Sequence, residues 1–251
     1  MSMKTVRLEE YNQNSFQKAK IDKALLAFGS CECHGGHLPF GIDAFVSHDL
    51  AVSVAERLER TVVVPPLWYG MSLHYRHKPM CVSLTNETAT KVIHDVFESL
   101  FYWGIKKAFV INGHDGNIPC IETAARDVKL AHPDMRIAVL DAWWYTIGDL
   151  LPKETFEVWN GLGHGGEGET SIGLAVVPHL VDMSQAKGML PKLDPRVKLI
   201  WNFDELSDYG ATGAPEKGTA EKGQKIKKAI VDLVVDFIKK MDAQGWKIRK
   251  K

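Results

Sequence analysis

ALLAFGSCECHGGHLP, residues 24–39, opens with five consecutive apolar positions and turns abruptly into glycine, cysteine, glutamate and histidine. An apolar run this short, stopped by Gly29, reads as a buried strand, because a buried helix needs roughly ten residues or more. In open α/β sheets ligands bind beyond the carboxyl ends of the strands, so chemistry is expected in the residues that follow. If the extended conformation persists past Gly29, Glu32 and His34 share one face while Cys31 and Cys33 take the other. The glycines around His37 let backbone approach closely, and Asp43, at the start of the next helix, returns a second carboxylate to the same point.

The same order of strand, polar turn and helix recurs along the chain. Short apolar or β-branched runs at residues 61–65, 107–111 and 136–140 read as three further buried strands. Between them, Val46, Leu50, Val54 and Leu58 repeat at helical spacing, and Val92, Ile93, Val96, Phe97, Leu100 and Phe101 form a stripe closed by Gly104. Asn117 is placed to cap a third helix with Pro119 in its first turn, and Ile226, Ile230, Leu233, Val234, Phe237, Ile238 and Met241 mark a long final one. Strand and helix in alternation predict a mainly parallel sheet covered on both faces, as a single domain over residues 1–251. Residues 191–218, richer in Pro, Gly and polar side chains, read as an ordered excursion or a lid.

Composition narrows the function. Lys plus Arg equals Asp plus Glu at 31 each, so bulk charge favours neither nucleic acid nor an anionic membrane, and small neutral partners fit better. The four cysteines form no CxxC pair, and the N-terminus lacks the apolar stretch of a signal peptide, which points to a reducing, cytoplasmic setting. No apolar run reaches the roughly 20 residues that span a bilayer. There is no G-x-S-x-G elbow, Walker loop or GxGxxG fingerprint, so neither a serine nucleophile nor nucleotide chemistry has an anchor.

Two other strand ends deliver candidates. The 107–111 run opens into Asn112-Gly113-His114-Asp115-Gly116-Asn117, and the 136–140 run into Asp141, Trp143 and Trp144. A Gly-rich loop, residues 161–171, carries His164, Glu167 and Glu169 into another helix. Glu32 and His34 alone are weak evidence. Joined by Asp43 and His114 they form a mixed His and carboxylate set suited to Zn²⁺, Mn²⁺ or Fe²⁺, one or two ions per chain, rather than to Ca²⁺. His48, His94, His132 and His179 read as structural or solvated, whereas His37, His74 and His77 sit in polar, irregular stretches open to substrate contact. Trp143 and Trp144 are ordinarily core residues, with lining the site as the alternative, and Cys33 offers a thiol alternative that its opposite face disfavours.

Three blocks, Gly-Ser-x-Glu-x-His-Gly-x-His-Leu-Pro with a following Asp, Asn-Gly-His-x-x-Asn, and His-x-Gly-x-x-Glu-Thr-Ser, occur here in order. In them the chain resembles the creatininase, or creatinine amidohydrolase, family. The resemblance implies a three-layer α/β/α sandwich with a dinuclear metal centre, in a homo-oligomer such as a hexamer. By motif, Glu32 and His114 would bind one metal and His34 the other, with Asp43 bridging. His164 would be the acid that protonates the leaving nitrogen, and Trp143 would line the substrate pocket, with His37 and Asp115 as further candidates for substrate contact. Two departures stand out. The family's creatininase carries a glutamate ligand where this chain has Gly116, which Glu169, or else Glu167, would have to replace, and a Pro-Gly-Thr segment reads Pro79-Met80-Cys81.

The expected function is therefore hydrolysis of a C–N amide bond in a small molecule, a lactam or formamide. A metal lowers the pKa of bound water from about 15.7 to about 7, beyond what a side-chain base could match. The departures predict that creatinine is a poor substrate and a linear formamide a better one. The competing readings are a family peptidase of cofactor maturation and a metal-binding or assembly protein that retains the fold without catalysis.

Overall fold

The computed structural model describes residues 5–192, 194 and 199–247. Four strands, β1 (Lys23–Phe28), β2 (Thr61–Val63), β3 (Lys107–Asn112) and β4 (Arg136–Leu140), form one sheet in the order β2-β1-β3-β4. Every pairing is parallel, with Lys23 opposite Lys107 and Phe28 opposite Asn112, so β1 and β3 end side by side. The helices are α1 (Gln13–Ala19), α2 (Ile42–Ala55), α3 (Asn86–Tyr102), α4 (Ile118–Ala131), α5 (Trp143–Leu150), α6 (Glu167–Val176) and α7 (Ala220–Ala243).

Strand alternation divides the apolar residues between two cores. Leu25, Ala27, Val63, Phe109 and Ile111 face α2, α5, α6 and α7, whereas Ala24, Leu26, Phe28, Val62, Ala108 and Val110 face α3 and α4. Helix, sheet and helix thus make the three layers of an α/β/α sandwich. The site position follows from the strand order. After β1 the chain leaves for α2 on one face, and after the adjacent β3 it leaves for α4 on the other, so the two loops part above neighbouring strand ends. Such a switch point opens a crevice.

Element boundaries differ from the apolar runs for local reasons. β1 starts at Lys23, whose ammonium pairs with Asp22 at 3.0 Å and Asp242 at 3.2 Å below the sheet. β2 ends at Val63 because Pro65 and Pro66 have no N–H to donate. β3 runs one residue further than expected, to Asn112. Within the 191–218 excursion, residues 193 and 195–198 lie outside the described residues. Elsewhere it holds short turns at Phe203–Glu205 and Pro215–Lys217, and Phe203 is buried. Among the described residues no helix is long and apolar enough to cross a membrane.

Candidate metal centre

Three carboxylates and three imidazoles meet in the crevice. Glu32 and His34 come from the loop after β1, Asp43 from the first turn of α2, His114 from the end of β3, and His164 and Glu169 from the loop into α6 and its first turn. Close backbone contact makes this possible. A Cβ on Gly29 would lie 2.5 Å from Ala44 Cα, and one on Gly113 would strike the carbonyl of Asp43, so neither loop admits a larger residue.

Glu32, His34, Asp43 and His114 are all at most 5 % exposed. Asp43 spans two imidazoles, with Oδ1 3.0 Å from His34 Nε2 and Oδ2 3.4 Å from His114 Nδ1. Glu32 Oε1 lies 3.2 Å from His114 Nδ1 and 3.9 Å from His164 Nδ1. Glu169 Oε2 is 3.8 Å from His34 Nε2 and accepts the N–H of Gly165 at 2.6 Å. Donor atoms of Glu32, Asp43 and His114 fall within 4.8 Å of one another, as do those of Glu32, His34 and His164.

Backbone carbonyls orient all three rings. A carbonyl only accepts, so the facing ring nitrogen carries the proton: His114 Nε2–H donates to Met71 O at 2.9 Å, His34 Nδ1–H to Glu32 O at 3.3 Å, and His164 Nε2–H to Cys33 O at 2.6 Å. In neutral His34 and His114 the remaining lone pair then faces the carboxylates, the arrangement in which outer partners present imidazole ligands to a metal, whereas that of His164 meets the Tyr75 hydroxyl at 3.0 Å. Ser30 Oγ donates to Glu32 Oε2 at 2.9 Å and pairs with Ser72 Oγ.

Electrostatics register what the cluster can hold. Burial opposes the charge on His34, yet Asp43, Glu169 and Glu32 push its pKa up to about 10, and Glu32 and Asp43 likewise hold His114 far above the usual imidazole range against its own burial. Burial, reinforced by the charge on His34, drives His164 the other way and keeps it neutral. Burial lifts Glu169 to about 7. Even so, Glu32 Oε1 and Asp43 Oδ2 are buried without a hydrogen-bond partner among the described residues. A divalent cation satisfies both oxygens and replaces two imidazolium protons, so the donor set fits a transition metal.

The other candidates lie around this centre. His37 is buried behind it and donates from Nε2 to Thr170 Oγ1 at 2.8 Å; burial, then His34, lowers its pKa to about 4. Asp115 is exposed in the turn after His114. Trp143 is 2 % exposed in the core on α5, in edge contact with Trp144. Glu167 is taken up elsewhere, holding Lys222 Nζ at 2.7 Å and the N–H groups of Glu157 and Val158, which leaves Glu169 as the acidic residue of that loop beside the cluster. At Gly116 a Cβ would strike Met71 O and come within 2.6 Å of His114 Nε2, so the Met71 carbonyl occupies the space a side chain would need.

Several contributors escaped the sequence reading. Tyr75 Oη lies 3.0 Å from His164 Nδ1, and Tyr75 and Phe203 pack on the His164 ring with centroids at 4.5 and 4.6 Å. Ser30, Ser72 and the Met71 carbonyl support Glu32 and His114. Asn117 does not cap α4: its Oδ1 accepts from Met71 N at 3.0 Å and its Nδ2 donates to Gly29 O at 2.9 Å, tying the loops together.

Fold and site together define a class: an α/β/α protein with a buried carboxylate and imidazole cage at the ends of adjacent parallel strands. The creatinine amidohydrolase (creatininase) family model matches residues 9–238, and the chain belongs to that family. It is 28 % identical to a creatinine amidohydrolase of Pseudomonas putida, over 86 % of this chain and 88 % of that protein. It is 29 % identical to a mycofactocin precursor peptide peptidase of Mycolicibacterium smegmatis, over 88 % and 85 % of the two chains. A solved structure of creatininase with Mn superposes with a TM-score of 0.80 at 26 % identity, covering 94 % of this chain and 98 % of that one.

Proposed function

We propose that this protein is a metal-dependent amidohydrolase that cleaves a C–N amide bond in a small molecule. The observation that carries the reading is the pair of buried oxygens, Glu32 Oε1 and Asp43 Oδ2, that lack a hydrogen-bond partner among the described residues and converge on His114 Nδ1 at 3.2 and 3.4 Å. Glu32, Asp43 and His114 hold the metal, with His34 and Glu169 on the other side of Asp43. A bound Zn²⁺, Mn²⁺ or Fe²⁺ supplies Lewis acidity and an activated water. His164, anchored through Nε2 on the Cys33 carbonyl, would take up at Nδ1 the proton that the attacking water gives up and pass it to the leaving nitrogen. His37 keeps the first loop locked to α6, and Asp115 stands exposed beside His114 to meet a substrate polar group. The protein acts in the cytoplasm as a homo-oligomer, for which the exposed Tyr102 and Trp103 at the C-terminal end of α3 offer apolar surface.

Similar identity to a creatinine amidohydrolase and to a peptide peptidase leaves two substrate sizes in view. Gly116 favours neither creatinine nor a compact cationic ring, since the carboxylate that would attract one is missing, and a linear formamide or other neutral amide fits better. Elemental analysis and a panel of formamides, creatinine and short peptides with added Mn²⁺ or Zn²⁺ test the reading. The expected result is at least one equivalent of metal in the native chain, lost in Glu32→Gln and Asp43→Asn but kept in His164→Ala, whose turnover falls by about 10²–10⁴. Metal below about a tenth of an equivalent after reconstitution would sink the proposal.

A further inference from the structure

Ser30 and Ser72 are fully buried against the cage, and each hydroxyl has one hydrogen to give. Ser30 gives its own to Glu32 Oε2 at 2.9 Å, because an ionised carboxylate only accepts, so in the close Ser30–Ser72 contact the hydrogen must come from Ser72. With that hydrogen spent, Ser72 Oγ can only accept at His114 Nε2, 3.2 Å away, where it shares the ring N–H with Met71 O. The hydrogen bonds therefore run one way, from His114 through Ser72 and Ser30 to Glu32. On the inner side of the same two residues, His114 Nδ1 and Glu32 Oε1 stand 3.2 Å apart. Ser72 is held in turn by its backbone: its N–H donates to Ser83 Oγ at 2.7 Å, and its carbonyl accepts the Cys81 thiol at 3.0 Å and the Tyr75 N–H at 2.9 Å.

We propose that Ser72 and Ser30 are positioning residues that couple His114 to Glu32, so that two ligands from different strand ends are aimed at one metal as a unit. Hydrogen bonds that run head to tail polarise one another, so losing either hydroxyl weakens what remains. Ser30 also takes up Glu32 Oε2, which leaves Oε1 as the oxygen turned into the cage without a hydrogen bond. Through Ser72, a change at Ser30 reaches an imidazole on the neighbouring strand. Cys81 belongs to the stretch in which this chain departs from the family's Pro-Gly-Thr, and its thiol on the Ser72 carbonyl brings that departure to bear on the metal ligands. His34 and Glu169, on the other side of Asp43, lie outside this string of bonds and keep their own approach to a metal.

This inference rests on the metal-centre reading, and the test separates the two. Native protein, Ser30→Ala, Ser72→Ala and the double variant are titrated with Zn²⁺ against a competing chelator while the ring nitrogens of His114 and His34 are followed by ¹⁵N NMR. A shift at His114 Nδ1 reports the ion on the Glu32 side, and one at His34 Nε2 an ion on the other. Each single variant is expected to bind the first ion at least about tenfold more weakly and the second within about twofold of native, and the double variant to lose no more than the weaker single, because one string is broken once. General damage to the fold would weaken both ions alike. His114 Nε2 is expected to move in Ser30→Ala. Native affinity in the single variants, losses that multiply in the double, or an unmoved Nε2 in Ser30→Ala overturn the inference while leaving the metal centre intact. Should Ser72→Ala not fold, Ser30→Ala decides alone, since His114 keeps both of its outer partners there and only the coupling is cut. A native chain that binds no Zn²⁺ refutes both readings.

Discussion

At Gly116 the absent side chain counts for more than a missing charge. Met71 O stands where its Cβ would be and accepts the hydrogen bond that orients His114, so a larger residue must displace a carbonyl with a task of its own. Gly116→Glu is therefore expected to destabilise the protein by about 1–3 kcal/mol, the usual cost of overpacking, without adding a metal. Denaturant unfolding together with elemental analysis checks both, and a stable variant with an extra equivalent would contradict the geometry. Glu32, His34, Asp43 and His114 were legible because each follows a recognisable strand or opens a recognisable helix. Tyr75, Ser72 and Met71 were not. They lie in residues 67–84, where no periodicity reveals which way a side chain points, and Met71 acts through a backbone atom that residue identity does not report.

Among the elements, the attachment of residues 5–8 combines a backbone hydrogen bond with a contact to one ring. Val63 N donates to Val6 O at 2.7 Å, and the Arg7 guanidinium donates to His48 Nε2 at 2.6 Å, pinning this segment to β2 and α2. Burial, followed by the Arg7 charge, lowers the His48 pKa. The sign follows: as pH falls through about 6.5, the unfolded chain takes up a proton that the folded His48 refuses, so stability decreases until the folded ring titrates. His37 contributes in the same direction. Stability measured between pH 7 and 5 should fall less steeply in His48→Gln, which keeps a neutral acceptor, and an identical slope would remove His48 from the account. The helices α2, α3 and α7 were readable from their stripes, α1 and α5 were not read, and sheet order was not legible, since apolar runs carry no record of their neighbours. Asn117 shows a further limit: its residue type and place suit a cap, but a buried carbonyl and N–H on other loops compete for the same amide.

For the molecule as a whole, an ion bound only by the folded cage adds to stability by mass action. At a free metal concentration about 100 times Kd the gain is about 2.7 kcal/mol, or roughly 5–10 °C in Tm for a chain of this size. Chelation should lower the melting temperature by that order, and Asp43→Asn should melt alike with and without chelator. A native chain indifferent to chelation would mean that the cage forms without its ion. The Asn117 amide joins Gly29, 88 positions earlier, to Met71, 46 positions earlier, and Glu169 arrives later still. During synthesis the carboxylates of Glu32 and Asp43 thus leave the ribosome well before the residues that enclose them, and the clasp closes only after long stretches of chain have been brought together. Hydrolytic competence is consequently delayed until folding is nearly complete, and a nascent or truncated chain carries the first ligands without the cage that would make them work.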